Sequence, residues 1–348
     1  MPKGDRTMHT KVVTFGEIML RLSTPGFQRI LQASSFDATY GGSEANVAVS
    51  LAQFGLRSYF VTRIPANPVG QAAVAHLRRY GVDTSLIASG GQRLGIYFLE
   101  TGASQRPSLV IYDRVNSAIA NAKPEDFDWA RIFDGVDWFH FTGITPAISD
   151  EVAAATLEAC RQAKALGVTV SCDLNYRKKL WSQEKANKIM SGLMEHVDLV
   201  VANEEDAEKV FGIKAAVSDV TRGFLDQEGY RSVAFQLLKE FSLKYVAITL
   251  RESYSASDNG WSGLFYDGEK FYHSRKYKIS IVDRVGCGDS FAAGIIYALL
   301  QGWGGQNAVE FAAAASCLKH TVTGDFHVVT LEEVLNLVGG DASGRVQR

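Results

Sequence analysis

The stretch 279–300, ISIVDRVGCGDSFAAGIIYALL, constrains this chain more than any other. Its β-branched start, residues 279–282, reads as the end of a strand. Asp283 follows, then Gly286-Cys287-Gly288, then Asp289 and an apolar segment long enough for a helix. Two glycines around one small residue let the backbone bend sharply and aim successive N–H groups at one spot. Those groups are also the unpaired donors of a helix start, where the macrodipole favours negative charge. An anion, above all a phosphate, would sit there. Asp289 runs against that scheme, because a carboxylate in the first turn repels the anion. Either Asp289 takes a proton from a group attacking the phosphate, or it is an ordinary capping residue.

The rest of the composition is that of a globular chain, with 46% hydrophobic and 21% charged residues. Its 348 residues suit one large α/β domain with an insertion, or two domains. The net charge of −2 lends no support to nucleic-acid binding. Cys160, Cys172, Cys287 and Cys317 lie far apart and form no C-x-x-C pair. That spacing predicts reduced thiols, a cytoplasmic setting and no structural zinc. The apolar runs are too short to span a bilayer, and the first residues lack an apolar signal core. Residues 1–10 and 339–348 are expected to be flexible.

Taken in order, strand-like and helix-like patterns alternate. Strands are expected at 11–15, 59–64, 137–141, 168–172, 199–202 and 245–250. Helices are expected at 70–80, 150–166, 183–196, 230–241 and 308–320, with another after Asn46. Residues 94–100 and 108–112 read as a hairpin, and so do residues 262–272 around Asp267-Gly268. Repeated strand–helix units imply a parallel Rossmann-type sheet flanked by helices. The hairpin near 94–114 and the irregular stretch 18–40 break that rhythm and read as a small β excursion. Ligands of open α/β sheets bind beyond the carboxyl ends of the strands. Gly16-Glu17, residues 173–177, Asn203 and the 286–288 turn should therefore converge on one crevice, which the excursion could cover.

Two segments carry a resemblance. Gly41-Gly42-Ser43-Glu44-Ala45-Asn46-Val47-Ala48 resembles the N-terminal signature of the ribokinase/PfkB family of sugar kinases. Asp283-Arg284-Val285-Gly286-Cys287-Gly288-Asp289-Ser290-Phe291 resembles its C-terminal signature. The likeness covers roughly residues 11–335. Within the family, Tyr112-Asp113-Arg114, WFHFTGITP at 138–146, RESYSASDNGWSG at 251–263 and LKHTVTGDF at 318–326 resemble the 2-keto-3-deoxygluconate kinase branch. The resemblance implies one ribokinase-like domain, with a β-clasp lid built from about 18–40 and 94–114. In this family such a clasp often pairs subunits, so a homo-oligomer, at least a dimer through the lid, is expected.

The resemblance also implies ATP and Mg²⁺ as cofactors and a sugar acid as substrate, with no nucleic-acid or membrane partner. The amides of Gly286, Cys287 and Gly288 would hold the migrating phosphoryl group, and Asp289 would be the base. Asn203 belongs to an Asn-x-x-Glu-like motif whose last position here is the shorter Asp206. Asp206 would touch magnesium through water, or else the acidic residues simply match a helix N-terminus. Thr249, Arg251 and Ser253, with Gly286, Gly288 and the region 313–317, would face the nucleotide. The usual Gly-rich loop is replaced by Arg251-Glu252-Ser253, and the alternative is an ordinary polar connection. On the sugar side the resemblance places Gly41, Gly42, Asn46, Tyr97, Tyr112, Arg114, Arg177 and Asp325. Asn46 could instead cap its helix, and the two tyrosines could be ordinary strand residues. Glu17 stands near a position where ribokinases carry Asp, which argues against ribose. A buried substrate carboxylate needs a cation, and the guanidinium fork suits it. Arg114 is the better discriminator, because Arg177 could serve phosphate instead; the alternative for Arg114 is a surface ion pair. Two other readings are a fructokinase or other sugar kinase and a non-catalytic sugar-binding regulator. The G-x-G-x-x-G of a dinucleotide-dependent dehydrogenase does not follow the first strand.

Overall fold

The computed structural model describes residues 10–203, 205–214 and 227–341. The expected flexible ends lie outside the described residues, apart from Thr10 and residues 339–341. A nine-stranded sheet forms the middle layer. Its parallel part runs, from one edge, through Arg57–Val61, Lys11–Phe15, Trp138–Thr142, Thr169–Asp173, Leu199–Ala202 and Tyr245–Ser253. Trp138–Thr142 and Leu199–Ala202 are buried at every position, as strands covered on both faces must be. The expected Rossmann-type sheet carries an antiparallel edge beyond its parallel part, where the hairpin around Asp267-Gly268 is expected. Asp258–Tyr266 pairs antiparallel with Tyr245–Ser253, and Phe271–His273 and Tyr277–Ser280 pair antiparallel with Asp258–Tyr266.

Helices cover both faces and enclose separate apolar cores. One core gathers Phe15, Phe139, Phe141, Met190 and Tyr230. The other gathers Phe54, Phe265, Phe291 and Phe311. The helix Cys287–Leu300 lies in the second core with 11 of its residues buried, as its nearly all-round apolar sequence requires. The expected strand at 279–282 is Tyr277–Ser280, and Val282 is half exposed. A further helix, Leu331–Val338, follows a Thr330–Glu333 capping box that sequence reasoning passed over.

A second sheet of four strands stands apart, in the order Asp37–Gly41, Met19–Ser23, Gly95–Glu100, Leu109–Asp113. Alternation sorts its side chains onto two faces. Met19, Arg21, Tyr97, Leu99, Val110 and Tyr112 share the face toward the main sheet. Leu20, Leu22, Ile96, Phe98, Leu109 and Ile111 share the other. Between the sheets lies a cleft of about 920 Å³.

Candidate active site

The cleft centres on the 286–288 turn. Gly286 has φ 83, in the left-handed region, and caps the helix Cys287–Leu300. A Cβ on Gly286 would lie 2.1 Å from the main-chain oxygen of Asp325, so no other residue fits there. A Cβ on Gly288 would meet nothing within 4 Å, because that side of the turn is open. Cys287 contributes backbone. Its thiol is buried and pushed up to about 12, chiefly by desolvation. Its carbonyl accepts from the Ser316 hydroxyl at 2.7 Å.

Asp289 is buried beside this turn. The Asn46 Nδ2 donates to its Oδ2 at 2.6 Å. The Asn46 Oδ1 in turn accepts from the Gly42 N–H at 3.3 Å, so the amide is held from both ends. Asn46, expected among the sugar contacts, lines the cleft and ties Gly42 to Asp289, with a second Nδ2 hydrogen left over. Burial raises the Asp289 carboxyl to about 6, with Asn46 and Ser43 hydrogen bonds working the other way. Glu44 of the same segment is sealed in. Its Oε1 accepts from the Thr142 N–H, the Thr142 hydroxyl and the Thr145 hydroxyl at 2.9, 2.8 and 2.6 Å.

Gly42, Tyr97, Tyr112, Arg114, Arg177 and Asp325 all line the cleft. Gly41 does not, which corrects its placement as a sugar contact. A Cβ on it would sit 2.0 Å from Asp325 Oδ2, so Gly41 makes room for Asp325. The Tyr97 hydroxyl lies 2.6 and 2.7 Å from the two Asp325 carboxylate oxygens. Tyr112 packs its ring on Tyr97 at 5.8 Å and carries the Arg114 guanidinium over it at 4.6 Å. Arg114 is no surface ion pair. Its Nε is 3.4 Å from Oε2 of buried Glu17, and its Nη1 is buried with no hydrogen-bond partner among the described residues. Glu17 also accepts from Ser117 at 3.1 Å, and burial raises its carboxyl above the usual range. Arg21 escaped sequence reasoning altogether. It is buried between Asp283 and Asp325, and its one signal was a charge on the inner face of an otherwise apolar MLRLS strand.

On the other side of the turn the cleft is lined by Asn203, Asp206, Thr249, Arg251 and Ser253. The region 313–317 does not line it; Ala313, Ala314 and Ala315 are core residues. Residues 251–263 form part of a β-hairpin, the long pairing of Tyr245–Ser253 with Asp258–Tyr266. Arg284 donates to the Ala256 carbonyl at 2.8 Å, and burial and the neighbouring Arg251 charge lower its pKa. The tip of the second sheet touches the same hairpin. The Ala256 N–H donates to the Ser104 carbonyl at 2.7 Å, and the Ser104 N–H to Ser257 Oγ at 3.0 Å.

A model of the pfkB family of carbohydrate kinases matches residues 9–329. The chain belongs to that family. It is 33% identical to a Haloferax volcanii 2-dehydro-3-deoxygalactonokinase, over 96% of this chain and 99% of that one. It is 28% identical to the 2-dehydro-3-deoxygluconokinase of Bacillus subtilis, over 94% and 95%. The crystal structure of a 2-dehydro-3-deoxygluconokinase from Thermotoga maritima superposes with a TM-score of 0.92 at 55% identity, covering 95% of this chain and 99% of that one. The architecture is therefore the ribokinase-like one of PfkB kinases, a phosphotransferase scaffold acting on an alcohol group.

PfkB kinases use ATP, and this member's cleft has an acidic floor beside the turn. Burial and the charges of Asp206 and Asp289 raise the Asp173 carboxyl well above the usual range, while Arg177 lowers it. Asp206 is already engaged. Its oxygens accept from the Tyr176 and Asn203 N–H groups at 3.0 and 3.2 Å, and Asn203 Oδ1 accepts from Glu205 and Asp206 in return. Among the described residues no three His, Cys, Asp or Glu side chains are arranged to hold an ion by themselves. Such a floor fits a magnesium ion carried mainly by nucleotide phosphates and water. No helix of the described residues is long and apolar enough to cross a membrane.

Proposed function

We propose that this kinase transfers the γ-phosphoryl group of ATP to the terminal hydroxyl of 2-keto-3-deoxygluconate, giving the 6-phosphate. One observation carries the acid specificity. Arg114 lines the cleft, and its buried Nη1 has no hydrogen-bond partner among the described residues, a cation whose charge a substrate carboxylate seated beside it would balance. A neutral sugar offers it a hydroxyl acceptor but no opposite charge. The names of the Haloferax, Bacillus and Thermotoga proteins all specify a 2-keto-3-deoxy sugar acid.

In this reading the hydroxyl oxygen attacks the γ-phosphorus, its proton passes to Asp289, and the bond to the β-phosphate oxygen breaks to release ADP. Asn46 aims the Asp289 carboxylate. The backbone donors of Gly286, Cys287 and Gly288 face the charge that spreads over the phosphoryl oxygens. Gly42, Tyr97, Tyr112, Arg177 and Asp325 complete the sugar pocket. Asn203, Thr249, Arg251 and Ser253 face the nucleotide. Magnesium, held through water near Asp206 and Asp173, would neutralise phosphate charge. The second sheet acts as a lid that excludes water, and its apolar outer face suits a second subunit. The setting is cytoplasmic. Coupled ATP turnover over a panel of sugar acids and neutral sugars tests the assignment. Turnover of fructose with none of 2-keto-3-deoxygluconate would reverse it.

A further inference from the structure

The second sheet and the phosphate turn meet at one guanidinium. Arg21, on the strand Met19–Ser23, is 4% exposed. Its Nη2 lies 2.5 Å from Asp283 Oδ2, its Nη1 2.7 Å from Asp325 Oδ1, and its Nε donates to Ser23 Oγ at 2.6 Å. Both carboxylates shape the turn. Asp283 Oδ1 accepts the Val285 N–H at 3.0 Å, and its Oδ2 accepts the Gly324 N–H at 3.0 Å. The main-chain oxygen of Asp325 fills the space where a Gly286 Cβ would stand. Tyr97, on the neighbouring strand of the same sheet, adds its hydroxyl to Asp325.

We infer that Arg21 is a positioning residue that joins the second sheet to the 286–288 turn, so that the turn takes its phosphate-binding shape only while the sheet is seated over the sugar. Take the guanidinium away and two buried carboxylates face each other, so that one must move or bind a proton. Stability alone is a poor reason to keep such a triad, because well-packed apolar side chains commonly serve the fold as well. A planar fork spans two carboxylates at once, which an ammonium does not. The gain is chemical. A kinase must not offer an assembled phosphate site to water, and a turn that relaxes when the sheet lifts does not.

The inference rests on the kinase reading, and the experiment separates the two. Sugar phosphorylation and total ATP consumption are measured side by side for the wild type, Arg21→Lys and Tyr97→Phe, with the best sugar of the panel. A wild type that phosphorylates no sugar defeats the kinase reading itself. With an active wild type, Arg21→Lys should lose at least about ten-fold in kcat, as expected for a misplaced reacting group. The ATP hydrolysed per sugar phosphorylated should rise several-fold. Tyr97→Phe keeps the ring and removes one tie to Asp325, so it should shift the same ratio in the same direction by less; it decides the matter if Arg21→Lys fails to fold. Retained coupling in both variants overturns the inference. So does a loss of kcat that merely tracks the folded fraction seen by circular dichroism.

Discussion

Asn46 Nδ2 stands 2.6 Å from Asp289 Oδ2, and this bond joins residues 243 positions apart in the chain. It brings the two family signatures into contact at the carboxylate. Under the proposed mechanism Asp289 is the base, and this bond fixes the orientation in which its carboxylate would accept the proton. Asp289→Asn should therefore keep the fold and bind both substrates while kcat falls roughly 10²–10⁴-fold. In the wild type, kcat/KM should decline on the acid side of about pH 6, where the raised Asp289 carboxyl takes its proton. Near-normal turnover by Asp289→Asn would remove the carboxylate from the mechanism.

The same burial makes Asp289 a load on the fold. Its carboxyl titrates at 3.8 when free and at about 6 in place. Below the first value it is neutral in both folded and unfolded chains, and no penalty exists. Above the second it is charged in both, and the buried charge costs the fold roughly 3 kcal/mol. Asp289→Asn should thus melt higher than the wild type at pH 8 and nearly equal to it at pH 3.5. Equal gains at both pH values, followed by thermal melts, would contradict a buried charge as the cause.

Gly286 and Gly288 make a matched pair. Gly286→Ala forces a side chain into the left-handed region and onto the Asp325 carbonyl, so both stability and activity should fall, the former by about 1–3 kcal/mol. Gly288→Ala puts a methyl into open space within the helix, where alanine is favoured over glycine by up to about 1 kcal/mol. It should be as stable as the wild type or more so, yet lose turnover because the methyl occupies the phosphate's approach. A fully active Gly288→Ala would place the phosphate elsewhere.

The outer face of the second sheet carries Leu109 and Ile111, 46% and 45% exposed, beside Phe98 and Leu22. Sheet faces of this kind are rarely left to water. Sedimentation should find at least a dimer, and Leu109→Glu with Ile111→Lys should shift it toward monomer. A fully active wild-type monomer at assay concentration would refute lid pairing.

What the sequence makes legible follows from range. Leu199–Ala202 is an unbroken apolar run, and its observed bounds match its expected ones. The two signatures announce the turn and Asp289 because each is local. The stretch 18–40 looks irregular because Met19–Ser23 interrupts its apolar pattern with Arg21, and Asp37–Gly41 has little apolar pattern at all. Arg21 acquires meaning only through Asp283 and Asp325, 262 and 304 positions away. The capping box at Thr330 was local and readable, and the helix after it was simply passed over. Gly41 was misplaced because a glycine's neighbour, here Asp325, leaves no mark in the sequence.

Under the proposed function Arg114 sets the substrate class. Its side chain is 11% exposed, its guanidinium rests on Tyr112, and among the described residues its one ionic partner is Glu17, at 3.4 Å. Glu17 holds the Nε side, and among the described residues the buried Nη1 has no acceptor. A sugar acid brings an oxygen acceptor with full charge to that atom. Arg114→Ala should then weaken kcat/KM for 2-keto-3-deoxygluconate by roughly 2–5 kcal/mol, since it strands the substrate carboxylate in a buried site. Glu17 is stranded as well, so part of any loss of stability belongs to it. Glu17→Gln, Arg114→Ala removes that second charge and should recover stability without recovering use of the acid. Turnover of a neutral sugar such as fructose, where measurable, should change far less in both variants. Equal losses on acid and neutral sugars would make Arg114 a general part of the lid, and would move the enzyme toward the neutral-sugar kinases.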